Sequence, residues 1–430
     1  MSEGKGKRVA IVAGCRTPFA RAGGFLADES ALDLARTALS ELLHRAEIRG
    51  GEVDRVVLGT VIPSVEAPNL GREAALASGL PRTTEGYTVS RACASANQAI
   101  ASASEAISSG EVSTVIAGGA ESLSNVPILA SKKLSRALVA ASKARSLGKR
   151  VAAFAAMQGK DLLPVAPAIA EPSTGLTMGA SAEKMARENA ISREEQDRFA
   201  LRSHGLAAAA TDDGRLPSEM VRYFAKPSYE RSLHEDDGIR RDTDLASLSS
   251  LRPVFDKQYG TLTAGNSSPL TDGAAVLLLM REDKARAEGR EPLGYIRSYA
   301  FAGVDPFDQL LIGPAYSTPL ALDRAGLSLS DMTLVDLHEA FAAQVLSVLK
   351  ALASESFCRE KLNRGALGEV PEDKLNVMGG SIAIGHPFGA TGARITLSLL
   401  NELRRRGGGL GLVSVCAAGG LGASMIVETE

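Results

Sequence analysis

Apolar positions along the 430 residues fall into short runs separated by stretches of helical period. The run VAIVA at 9–13 predicts a buried strand. ALDLARTALSELL, which follows, sets Leu32, Ala35, Leu39 and Leu42 on one helical stripe. Residues 56–60 predict a second strand and residues 72–78 a short helix. A strand ending near Ser90, a small-residue helix over 95–109 and the strand VSTVIAGG come next. The last third repeats the rhythm with helix PLALDRAGL, strand MTLVDL, helices EAFAAQVLSVLKAL and TGARITLSLLNELRRR, and strand GLGLVSVC. Such alternation predicts α/β layers. The two ends also share a plan. Cys93 and His386 are each followed by a helix, a Gly turn, a strand and a Gly pair, which fits a duplicated domain.

The middle breaks this pattern. From Ser122 to Lys160 no acidic residue occurs, while Lys132, Lys133, Arg136, Lys143, Arg145, Lys149, Arg150 and Lys160 are all basic. Leu134, Leu138, Val139, Val151, Phe154 and Met157 are interleaved with them. Residues 161–256 are then mostly polar, interrupted by Pro and helical in patches. This third reads as an insertion belonging to neither sheet.

Composition narrows the classes. A chain of this length exceeds one ordinary core and predicts two or three domains. A net charge of −2 argues against nucleic acid as a partner. Four cysteines without paired spacing form neither a disulfide framework nor a CxxC metal motif, which predicts a reducing, cytoplasmic setting. The apolar run near the start ends after five residues, too short for a signal segment, and no run approaches the ~20 residues of a membrane span.

Four residues could carry chemistry. Cys93, in VSRACASANQAI, reads either as a small buried hydrophobe or as a nucleophile. At a strand-to-helix turn, helix amides and the dipole would favour its thiolate. His386, in NVMGGSIAIGHPFGATGAR, reads either as a solvated loop residue or as the base a cysteine nucleophile requires. His338, in DLHEAFAAQ, follows a strand and begins a helix, where a polar residue is ordinary. Cys416 ends an apolar strand and, taken alone, is core. Zinc competes for two Cys and two His, but no pair has short ligand spacing. All four lie at strand ends or loops, where sites in α/β sheets gather.

RACASANQAI, TAGNSSPLTDGAA, HEAFAAQ, GGSIAIGHPFGATGAR and CAAGGLG, in this order and spacing, resemble the signature blocks of the thiolase family. With RTPFA near the start and DDGIRRDTDLASLSSLRPVFD in the middle, the likeness covers nearly the whole chain. It implies an α/β fold of two similar βαβαβαββ halves in five layers (α-β-α-β-α), with a loop domain inserted in the first. The corresponding segments are 1–122 and 254–291 for the first half, 123–253 for the loop domain and 292–430 for the second half.

By this resemblance Cys93 is the acylated nucleophile and His386 its base. Cys416 moves a proton at the α-carbon of acetyl-CoA. His338 holds a water that, with His386, stabilises the enolate oxygen. The backbone N–H groups of Cys93 and Ala418 form a second oxyanion site. Ala418 replaces the family's usual Gly, so a left-handed backbone there would be costly. Met178, Arg240, Ala264, Ser268 and Phe341 match CoA-contacting positions, while Cys15 and Cys358 match nothing and read as structural. The implied activity is that of a 3-ketoacyl-CoA thiolase of fatty-acid β-oxidation, with CoA and acyl-CoA as substrates and neither a cofactor nor a metal. The alternatives are a biosynthetic acetoacetyl-CoA thiolase and an inactive lipid-binding module. A longer insertion over 131–160 together with HEAFAAQ resembles the β subunit of fatty-acid oxidation complexes. That resemblance implies a homodimeric core, a hydratase/3-hydroxyacyl-CoA dehydrogenase α subunit as partner, and peripheral membrane contact. A solvated helical hairpin is the plainer alternative for the insertion.

Overall fold

The computed structural model describes residues 8–165 and 170–430; residues 1–7 and 166–169, within the expected first half and loop domain, lie outside the described residues. The spine is a ten-stranded sheet. Its main strands are β1 (Val9–Arg16), β2 (Arg55–Gly59), β3 (Glu85–Val89), β4 (Thr114–Glu121), β5 (Thr271–Arg281), β6 (Gly294–Gly303), β7 (Leu334–Leu337), β8 (Gly409–Ala417) and β9 (Leu421–Thr429). In space they run β7-β8-β9-β6-β1-β5-β4-β2-β3, and Ala20–Arg21 adds a short tenth strand beside β5.

This order is a palindrome about the β6–β1 contact. On one side β1, β5 and β4 pair antiparallel and β4 and β2 parallel. On the other, β6, β9 and β8 pair antiparallel and β8 and β7 parallel. Where the first half adds β3, the second has a single parallel bridge between Val335 and Leu375. The duplication read from the two cysteine- and histidine-bearing turns is therefore present strand for strand. The sequence reading passed over β5 and β6. β5 is buried along almost its whole length, so it shows a continuous apolar run without the alternation that marks a half-exposed strand.

Helices complete the layers. α1 (Ala31–Arg45) and α2 (Leu70–Ala77) cover the outer face of the first half. α1 starts from a capping box, in which the Ser30 side chain accepts the Asp33 N–H and Asp33 reaches back to Ser30. α3 (Ser95–Ser109) and α10 (Thr391–Arg405) lie against each other between the two halves. α8 (Gly313–Ala325) covers β6 and β9 on the far side, with α9 (Ala342–Ala353) beside it. The core follows these layers. One buried cluster joins Ala96 and Ile100 of α3 to Ile395 and Leu399 of α10, Val115 of β4 and Val413 of β8. Two further clusters underlie the outer helices of the two halves.

The inserted segment forms α4 (Lys132–Lys143), α5 (Leu147–Ala152), α6 (Met178–Glu188) and α7 (Arg193–Asp212). α6 and α7 pack back on α9, whereas α4 and α5 pack on one another and stay open to solvent. Leu147 is 77% and Val151 65% exposed, and Leu138 and Val139 are also exposed. Among the described residues no helix is long and apolar enough to cross a membrane.

Candidate active site

The site lies at the seam between the halves, where α3 and α10 both begin. β3 ends at Val89, Ala92 takes a left-handed φ of 45°, and Cys93 follows before α3 opens at Ser95. The serine hydroxyl braces this turn by accepting the Arg91 N–H at 2.8 Å and donating to the Ala92 carbonyl at 2.6 Å. From the other half, His386 precedes α10, and Cys416 is the penultimate residue of β8. His338 follows β7 directly. It does not begin a helix as expected, because α9 starts only at Ala342. The intervening residues pair instead with the 266–268 segment, where Ser268 N–H donates to Ala340 O at 2.9 Å.

The seam is tight enough to require glycine on both sides. A Cβ on Gly389 would sit 2.6 Å from Gly59 O and 2.8 Å from Ala120 O, and one on Gly119 would collide with Gly389 O. Buried Glu121 fastens the same loops by accepting the N–H groups of Val61, Ile62 and Gly389. Burial pushes its carboxyl up to about 7 against these donors.

Two pairs of side chains lie at this seam. The rings of His338 and His386 lie 4.1 Å apart between centroids. The backbone N–H groups of Ala418 and of Cys93 itself face the Cys93 sulfur, and the two cysteines interact electrostatically. Ala418 avoids the left-handed conformation feared from its side chain; Gly419 and Gly420 take the positive φ values of 82° and 71°. Glu171, from the inserted segment, accepts the Gly419 N–H at 2.8 Å and so ties that segment to the turn after Cys416.

The electrostatics correct one expectation. Cys93 was expected to have its thiol lowered by the helix dipole. Burial instead pushes it up to about 12, with Glu121 and Glu171 adding to the rise and the Ala418 N–H opposing it. Cys93 is only half-buried, but it packs against the central apolar cluster, where desolvation outweighs the dipole. Cys416 is raised well above the usual thiol value by burial and then by Cys93. Burial, and then the Arg394 charge, pushes His386 down to about 3. At rest Cys93 is therefore a thiol and His386 a neutral imidazole.

Hydrogen bonding orients that imidazole. Thr391 Oγ1 lies 3.0 Å from the Pro387 carbonyl, which can only accept, and 2.7 Å from His386 Nδ1. With the hydroxyl proton on the carbonyl, Nδ1 carries its own proton and donates to the threonine oxygen. The lone pair is then on Nε2, which is buried and has no protein partner. His386 is built as a proton acceptor.

A cavity of about 780 Å³ adjoins this seam. It is lined by Arg21, Arg240, Phe255, Ala264, Ser268 and Leu270, among others. Leu270 bridges to His386 along the backbone. Of the five expected CoA positions, Arg240, Ala264 and Ser268 line the cavity and two do not. Phe341 stands behind the wall, edge-on to Phe255 at 5.9 Å, and Met178 packs into the cluster beneath α6. Cys15 and Cys358 are buried away from the site. Among the described residues no three His, Cys, Asp or Glu side chains are grouped to hold a metal ion. Thr391, Ser381, Arg394 and Glu171 were missed from the sequence; only the spacing of Thr391 to His386, five residues along one turn, offered a signal.

Comparison with known proteins places this geometry. Residues 9–283 match the thiolase N-terminal domain and residues 290–429 the thiolase C-terminal domain. The chain is 54% identical over 427 residues to a 3-ketoacyl-CoA thiolase of Yersinia pestis, covering 99% of this chain and 98% of that protein. A solved human mitochondrial 3-ketoacyl-CoA thiolase is 34% identical, with a TM-score of 0.84 over 99% of both chains. The same human protein solved in complex with CoA has a TM-score of 0.83 at 33% identity, covering 99% of this chain and 98% of that one. The acetyl-CoA acetyltransferase of Bacillus anthracis is 36% identical, with a TM-score of 0.83 over 98% of both chains.

Proposed function

This chain belongs to the thiolase family, and from that premise we infer that it is a 3-ketoacyl-CoA thiolase, an acyltransferase of fatty-acid β-oxidation that binds CoA. The observation that carries the reading is the seam itself, where two cysteines and two neutral histidines meet beside a cavity large enough for part of a CoA thioester.

In this reading, His386 Nε2 takes the Cys93 proton as the sulfur attacks the keto carbon of the substrate. The alkoxide faces the N–H groups of Cys93 and Ala418, donors of a kind worth roughly 3 kcal/mol each. The bond between the α- and keto carbons breaks, leaving an acyl group on Cys93 and the enolate of acetyl-CoA. The enolate oxygen faces His338 and protonated His386, and Cys416 gives its proton to the α-carbon. CoA thiol then surrenders its proton to the Cys416 thiolate and attacks the acyl-enzyme. Cys93 leaves and recovers its proton from His386, so every group returns to its starting state. Arg240, Ala264 and Ser268 would contact CoA in the cavity, with Phe341 and Met178 supporting its wall.

We also propose that α4 and α5 dock a hydratase/3-hydroxyacyl-CoA dehydrogenase subunit, since exposed Leu138, Val139, Leu147 and Val151 sit among unbalanced positive charge. The deciding experiment is CoA-dependent cleavage of 3-ketoacyl-CoA esters of increasing chain length, read as acetyl-CoA released. Absence of cleavage at every length would overturn the reading.

A further inference from the structure

The mechanism leaves one buried group without a task. Arg394, in the first turn of α10, is fully buried, and among the described residues its one hydrogen bond runs from Nη2 to Ser381 Oγ at 3.1 Å. Its Nε and Nη1 have no partner. Ser381, also fully buried, opens the short helix Ser381–Ile384 and lies 3.1 Å from His338 Nδ1. A guanidinium only donates, so the serine oxygen accepts from Arg394. The one proton of the hydroxyl then has, among the described residues, a single acceptor within reach, His338 Nδ1, and a buried hydroxyl left without an acceptor would be costly.

We infer that Ser381 and Arg394 are positioning residues that hold His338 in the tautomer protonated at Nε2, so that it presents a donor to the enolate oxygen or its water. This rests on the thiolase reading for the identity of that oxygen, but the tautomer follows from the hydrogen bonds alone. The His338 main chain is fixed as well, its N–H donating to Ser414 O at 2.8 Å. Nε2 is buried without a protein partner, as is His386 Nε2, and the two rings lie 4.1 Å apart between centroids. Two histidines in contact are thus set to opposite tautomers, His386 by Thr391 as an acceptor and His338 by Ser381 as a donor. Burial, His386 and Arg394 together keep His338 neutral, so the tautomer decides what it offers. Burial lowers the Arg394 guanidinium, and the buried carboxyl groups of Asp336, Glu219 and Glu339 oppose that shift.

The test exploits the five histidines of the chain. In full-length protein labelled with ¹⁵N-histidine, two-bond ¹⁵N–¹H correlations read each tautomer, and the signal lost in His338→Asn assigns His338. The wild type should show a bare Nδ1 and a protonated Nε2, and Ser381→Ala should shift the population toward protonated Nδ1. Thiolysis by Ser381→Ala should lose roughly tenfold to a hundredfold in kcat, short of the full loss of an oxyanion donor, with KM nearly unchanged. In the His338→Asn background the same substitution should change kcat less than about twofold. A wild-type His338 protonated at Nδ1, or an equal loss in both backgrounds, would overturn the proposal. Should the wild type cleave no 3-ketoacyl-CoA, the thiolase reading falls while the tautomer measurement still decides this one.

Discussion

The two halves of the sheet repeat one another strand for strand, but the turns at corresponding places carry different chemistry. Before α3 the first half sets a sulfur; before α10 the second sets an imidazole. At its end β4 carries Glu121, which ties loops together, while β8 carries Cys416 to the same seam. Duplication supplies two helix starts at one seam, one from each half of the sheet. That symmetry is what allows a nucleophile and its base to be delivered by separate rigid elements, with no flexible loop between them. On the proposed reading the difference also separates tasks: the first half would hold the acyl group, and the second would handle protons.

Substitutions test that division. Removing the first half's contribution should have the largest effect: Cys93→Ser should lower thiolysis by about 10⁴-fold or more with an unchanged melting temperature. A stoichiometric acyl adduct found on any other cysteine would break the comparison. On the second half, Cys416→Ala should leave Cys93 able to accept an acyl group while exchange of the acetyl-CoA α-protons falls about 10²- to 10⁴-fold. Exchange at the wild-type rate would refute the proton role. A change to the seam itself, Gly389→Ala, should cost stability in both halves together, roughly 1–3 kcal/mol, seen as one cooperative but lowered thermal transition. Two separate transitions would mean the halves are less tightly coupled than the Gly119–Gly389 contact implies. Smallest of all should be the effect of the insertion on chemistry. Charge reversal at Lys143, Arg145, Lys149 and Arg150 should leave short-chain thiolysis within about twofold, while weakening association with the dehydrogenase subunit in a salt-dependent way. Lost activity with intact association would move α4 and α5 into the site.

Residues whose role is local were legible from sequence. Cys93 and His386 sit at junctions where apolar period and Gly content change, and the strand carrying Cys416 ends in a Gly-rich turn. Ser381 and Arg394 gave no such sign, because an Arg within GARITLSLLNELRRR reads as one more charge on a helix that bears several. Its burial follows only when α10 is enclosed between α3 and the two halves of the sheet, a tertiary event. The thiol of Cys93 was misjudged for a related reason. The helix dipole is visible in a sequence, whereas the desolvation that outweighs it depends on the central apolar cluster against which Cys93 packs. The insertion was legible as a segment because its charge imbalance is compositional.

β5 lies between β1 and β4, yet the chain reaches it only at Thr271, after the whole inserted segment. A ribosome therefore releases β1 and β4 long before the strand that joins them. Through that interval the nascent first half carries both edges of β1 and the inner edge of β4 unpaired and cannot close its sheet. A polypeptide terminated just short of residue 271 would present those edges to other chains and associate instead of folding. Addition of a peptide spanning 271–281 in trans should protect it.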